Sequence, residues 1–156
     1  MSAYQELETR FQRMAALGEA AGMLHWDMSV LMPPGGGASR IEQLSALTLT
    51  THEMKTDPRL AELLEAAEAE NSDGPWHAAN LREMRRSWVH ANAVDADLVD
   101  ATARACSACE MVWREARPEN DYARVLPYLE EVLNLSRQAA AAKAEALGRT
   151  PYEALL

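Results

Sequence analysis

The spacing of apolar residues over the first thirty positions constrains this chain more than any other feature. Tyr4, Leu7, Phe11, Met14, Gly18, Ala21, His25 and Met28 recur at alternating steps of three and four, flanked by Leu17, Leu24 and Leu31. Such steps collect side chains on one stripe of an α-helix and on neither face of a strand. Ser2 and Gln5 have the spacing of a capping box at the start of this helix. Its end is expected near Met32, where Pro33-Pro34-Gly35-Gly36-Gly37 removes two amide donors and adds three residues without helical preference. A helix with one apolar stripe must bury it against other elements. The remaining sequence offers helices for this, because Ala, Leu, Glu, Met, Arg and Gln dominate and β-formers are few. The expected fold is all-α, about six helices in a bundle-like array forming one domain over 1–156.

A second helix is expected from about Ala38 to Lys55, with Ile41, Leu44, Leu47 and Leu49 inward. Asp57 as N-cap with Pro58 at the first helical position starts a third through Leu60, Leu63 and Leu64, ended by Asn71-Ser72-Asp73-Gly74-Pro75. A fourth carries Trp76, Leu81, Met84, Trp88 and Val89, with a break near Asn92 to Asp95. The fifth carries Leu98, Val99, Thr102, Cys106, Cys109 and Trp113 as far as Arg117-Pro118. Pro127 interrupts the last helical pattern, which predicts a short turn over Tyr122 to Leu126 and a long helix from Pro127 to about Ala146, closed by Gly148. Trp26, Trp88 and Trp113 are expected to be at least partly buried.

The charge balance narrows the partners. With 24 acidic against 15 basic residues and a net charge of -9, a phosphate backbone is repelled on average, so no nucleic-acid partner is expected. No stretch has the roughly 20 uncharged apolar residues of a membrane span, and Glu6, Glu8, Arg10 and Arg13 interrupt any signal-peptide core. Two cysteines cannot form the disulfide framework of a secreted domain. A cytoplasmic location is expected.

Catalytic patterns fail one by one. His52-Glu53-Met54-Lys55-Thr56 begins like a zinc-binding His-Glu-x-x-His helix, but Thr56 stands where the second imidazole is required. Di-iron bundles need Glu-x-x-His pairs, and Gly22, Leu49, Gly74 and Ser87 stand three residues before His25, His52, His77 and His90. Cys106-Ser107-Ala108-Cys109 has redox spacing but lies mid-helix, away from the helix N-terminus that lowers a thiol pKa, and reads as small buried residues at a close helix approach. His25 falls on the apolar stripe and reads as a core histidine. Arg82, Arg85 and Arg86 oppose the acidic run from Asp57 to Asp73, with Glu62, Glu65, Glu68 and Glu70, as two solvated faces that attract each other. No catalytic, cofactor-binding or metal-binding residues are assigned within the sequence. Thr150-Pro151-Tyr152-Glu153 carries a complete helix-start signature with three residues after it, which suggests that the natural protein continues.

Several stretches together resemble one family. Trp26-Asp27, Met32-Pro33-Pro34-Gly35-Gly36, then Arg40, Gln43 and Leu44 look like the N-terminal signature of the M32 metallocarboxypeptidases. Asn80-Leu81-Arg82-Glu83 with Arg85-Arg86, Leu98-Val99, Trp113-Arg114-Glu115-Ala116-Arg117, Asn120-Asp121-Tyr122, Pro127-Tyr128-Leu129 and Tyr152-Glu153-Ala154-Leu155-Leu156 follow in the same order. Asp95, Val125 and Ser136 depart from the family's usual pattern. The resemblance implies the N-terminal third of a helical, zinc- or cobalt-dependent homodimeric enzyme that removes C-terminal residues from peptides, with the metal ligands beyond this sequence. It implies a wall or lid of the substrate groove, inactive alone. The alternative is a free-standing binding or dimerisation module that has lost the catalytic part. A face left uncovered by the missing part predicts a dimer or higher oligomer.

Overall fold

Ser2 closes the capping box expected of it: its hydroxyl accepts from the Gln5 amide at 3.2 Å, and its own amide donates to Gln5 Oε1 at 3.0 Å. This starts α1 (Ala3–Val30), the first of six helices in a computed structural model that describes residues 2–70 and 74–156. They are followed in order by α2 (Gly37–Thr56), α3 (Pro58–Ala69), α4 (Pro75–Asn92), α5 (Ala96–Glu119) and α6 (Tyr122–Leu147), with 3-10 turns at Pro34–Gly36 and Glu153–Leu155. Among the described residues there is no strand, and no helix is long and apolar enough to cross a membrane.

Helix α1 packs on α3 and α2, and α3 packs on α4. Leu7 of α1, Leu60, Leu63, Leu64 and Ala67 of α3 and Leu81 and Met84 of α4 form one buried cluster, with Tyr4, Phe11 and Trp88 against its margin. Each leucine so buried contributes about 1.5–3 kcal/mol from apolar area removed from water. Helix α2 also touches α4 and α5, and α5 runs along α6. The α2–α5 seam is polar: the buried Ser45 hydroxyl donates to Asp100, while Arg104 donates to Asp100 at 2.9 Å and to Glu42 at 2.5 Å.

The starts and stops follow local chemistry. The Asp57 carboxylate accepts from the Arg59 amide at 2.9 Å and so caps α3 ahead of Pro58. Gly148, at φ 62°, ends α6 in the left-handed region as expected. The Asn71-Ser72-Asp73 part of the stop after α3 lies outside the described residues.

Pro127 does not break α6. Asp121 caps the helix through the Arg124 amide at 3.1 Å, so the first turn forms ahead of the proline, and burial of Val125 and Leu135 holds the segment in place. Pro118 is likewise absorbed, because Asn120 adopts φ 54° and the Asn120 and Asp121 amides satisfy the Arg117 and Ala116 carbonyls at 3.3 and 3.1 Å.

Of the indoles, Trp88 is half-buried beneath the Arg85 guanidinium, 5.4 Å from its ring centre. Trp26 and Trp113 stand 59% and 49% exposed, contrary to the expected burial, and Trp76 is exposed as well. Trp26 lies two residues before the buried Met28, on the opposite side of the helix. The buried line of α1 drifts onto Met14, Leu17, Ala21, Leu24 and Met28, which leaves His25 exposed rather than in the core.

Candidate functional site

Asp27, the Pro-Gly run, Arg40 with Gln43, and Arg114 meet at the corner where α1 turns into α2. Helix α1 has no basic residue in its own last turn, so the partial negative charge of its C-terminal carbonyls needs a cation from elsewhere. Two arginines supply it. From α2, Arg40 donates to the Leu24 carbonyl at 2.5 Å, to Asp27 Oδ2 at 2.6 Å and to Gln43 Oε1 at 2.9 Å. From α5, Arg114 donates to the Met28 carbonyl, to Ser29 Oγ at 2.7 Å and to Glu110. The planar fork of arginine suits it to bridge a carbonyl and a carboxylate at once.

Glycine leaves room for two methionine side chains where the chain turns. A Cβ on Gly36 would lie 2.9 Å from Met32 Cγ, and one on Gly37 would lie 3.2 Å from Met111 Cε of α5. The Pro-Gly run therefore ends α1 and also lets α2 and α5 close on the corner. On the outside of this locked corner Met23, Trp26, Val30 and Leu31 are exposed. Met23, Trp26 and Val30 share one helical face by spacing.

The other sequence candidates are scattered. Thr56, at the position of the missing second histidine, turns its hydroxyl back to the His52 carbonyl at 3.0 Å. His77 stacks on Tyr4 with ring centres 3.9 Å apart. His52 and His90, on different helices, line the same cleft between α2, α4 and α6. Cys106 is exposed and Cys109 half-buried, both facing an open α5–α6 groove of about 780 Å³ that also takes in Trp113 and Tyr122. The reading of both thiols as buried packing residues is thus corrected; the small buried residues of α5 are Ser107 and Ala116. Partial burial and the neighbouring Cys109 push the Cys106 thiol above its ordinary pKa, the reverse of activation. Arg85 does meet the acidic run, holding Glu68 through two bonds of 2.9 and 2.7 Å that keep this carboxyl below its usual range.

Among the described residues no group of three or more His, Cys, Asp or Glu side chains is placed to hold a metal ion. A catalytic zinc needs three protein ligands and an open position, and the residues here do not fit one. The arginine clamp at the corner was not foreseen as such. Its signal was the absence of any cation in the last turn of α1.

The thermostable carboxypeptidase 1 of Thermus thermophilus is 36% identical over 146 residues, 89% of this chain and 28% of that protein. The structure of Trypanosoma cruzi metallocarboxypeptidase 1 matches at 34% identity with a TM-score of 0.75, over 98% of this chain and 31% of that one. The BsuCP crystal structure, at 21% identity, shares the fold with a TM-score of 0.89 over 98% of this chain and 31% of its own. The chain thus spans less than a third of the length of these relatives. Their shared helical architecture agrees with the all-α fold described above. The carboxypeptidase Taq (M32) metallopeptidase model matches residues 6–156, and the chain belongs to that family.

Proposed function

We propose that residues 1–156 act as one helical unit forming a wall of the peptide-binding groove of a zinc-dependent carboxypeptidase, and that this unit has no activity alone. The observation that carries the reading is the α1–α2 corner. Its family-matching residues lock the backbone from inside through Arg40 and Arg114 while Met23, Trp26, Val30 and Leu31 are presented outward. An exposed apolar face on a rigid support is suited to pack on further protein or to line a groove for extended peptide. The metal and the proton-transfer groups belong, in this reading, to parts of the enzyme outside this sequence. The protein is cytoplasmic in this reading, which two free thiols support. It self-associates as a homodimer through apolar surface such as the α5–α6 groove.

The test is direct. The purified chain, incubated with zinc or cobalt and dialysed, should carry well under one equivalent of metal and release no amino acid from a C-terminally free peptide. Light scattering at tens of micromolar should give a dimer mass. Stoichiometric, chelator-sensitive metal or a measurable release rate would refute inactivity, and a monodisperse monomer would refute the dimer.

A further inference from the structure

The cleft between α2, α4 and α6 is basic in a chain whose net charge is -9. Its volume is about 560 Å³, and its lining includes His52 and Lys55 of α2, Arg86 and His90 of α4 and Lys143 of α6, together with Leu155 and Leu156 from the last turn of the sequence, and no acidic side chain. A second cavity of about 340 Å³ adjoins it, and His52, His90, Lys143 and Thr48 line both. Arg86 is partly neutralised by Glu83 at 2.8 Å. Among the described residues Lys55 and Lys143 form no ion pair. Three helices thus bring like charges together, an arrangement that favours an anionic occupant.

The chemistry of the lining selects the ligand class. Two imidazoles beside fixed cations disfavour a divalent metal, whereas ammonium groups, N–H donors and the Thr48 hydroxyl are a donor set for oxyanion oxygens. The wall is concave and has the size of a small-molecule site rather than of a surface for polymers. Leu17, Ala21 and Leu47 provide an apolar side to the same cleft.

We propose that this cleft binds a small phosphorylated molecule, its phosphate held by Lys55, Lys143, His52 and His90 and its apolar part resting on α1. The state of the imidazoles agrees. Burial first, then Lys55, holds His52 below its ordinary pKa against weaker opposing pulls from Glu53 and from Asp95 of the α4–α5 turn. Burial, Lys143 and Arg86 do the same to His90. A bound dianion reverses this field, so both imidazoles should take up protons when the site fills.

The experiment follows the imidazole Cε1–H resonances of the 156-residue chain by NMR during titration with inorganic pyrophosphate, with acetate and chloride at matched ionic strength as controls. His52 and His90 should shift saturably with pyrophosphate only, and their titration midpoints should rise, while His25 and His77 stay put. Lys55→Gln and Lys143→Gln should each weaken binding about tenfold, the loss of one charge-assisted contact. Arg137→Gln, exposed elsewhere on α6, should leave binding within about twofold. Linear, unsaturable shifts, equal shifts with chloride, or lysine variants that bind as the parent does would overturn the proposal. Should a lysine variant lose its helical circular dichroism, the parent's resonances and the chloride control still decide.

Discussion

Replacing Arg40 by alanine tests whether the α1–α2 corner is held as described. Arg40 keeps only 12% of its side chain exposed and makes three bonds, to the Leu24 carbonyl, Asp27 and Gln43. Bonds to a charged group contribute about 1.5–3 kcal/mol each when buried, but the three are not independent. Asp27 retains 35% side-chain exposure and Gln43 is exposed, so both recover water when the guanidinium leaves. The Leu24 carbonyl recovers less. Freed rotamers return up to about 2 kcal/mol of side-chain entropy. The net loss is about 2 kcal/mol, and at roughly 2–4 °C per kcal/mol for a chain of this size Tm should fall by about 4–8 °C. Lysine cannot reproduce the fork, so Arg40→Lys should recover less than half of that loss. A double-mutant cycle with Asp27→Asn should return a coupling of about 1 kcal/mol. An Arg40→Ala protein melting within about 1 °C of the parent, or an Arg40→Lys protein as stable as the parent, would refute the clamp.

Three further outcomes follow from the same structure. Leu60→Ala, at a site with 0% exposure inside the α1–α3–α4 cluster, should cost about 2–5 kcal/mol by urea denaturation, whereas Leu133→Ala, 46% exposed on α6, should cost far less. Gly148→Ala should destabilise by about 1 kcal/mol, because φ 62° strains an L-residue although nothing crowds its Cβ. In phosphate-free buffer, stability should fall as pH drops below about 6.5, since the unfolded chain binds protons on His52 and His90 before the folded one does. It should fall again below the ordinary carboxylate range, where Glu68, Asp57 and Asp100, all held low by hydrogen-bonding partners, become protonated. A His52→Gln/His90→Gln variant should lose the first decline and keep the second. A Tm independent of pH between 7 and 5.5 in the parent would contradict this.

Helix existence and most helix ends were legible because they rest on contacts within a few residues. The Ser2–Gln5 box, the Asp57–Pro58 start and the Gly148 stop each depend on a local donor, acceptor or dihedral preference. Pro127 misled because its cost of one backbone bond is set against tertiary burial and a neighbouring cap, neither of which is visible locally. The indoles misled for a different reason: apolar character states a demand for cover, while the face that receives it is decided by which helix arrives. The clamp and the basic cleft lie further from view. Arg114 reaches Met28 across 86 positions, and Lys143 joins His52 only after three helices have packed. No periodicity encodes such meetings.

The order of helix contacts also bears on how the chain assembles. Helices α5 and α6 are antiparallel neighbours joined by Asn120 and Asp121 alone, so bringing them together costs little loop-closure entropy. Helices α3 and α4 are similarly close in sequence, but α1 must wait for α3 across the whole of α2, and α2 must find α5 across α3 and α4. The α5–α6 hairpin is therefore expected to form early, and docking of α2 between the two halves to complete folding late. Substitutions at Ser45 or Asp100, on the late seam, should then chiefly accelerate unfolding, and those at Val125 or Ala116 should chiefly slow refolding.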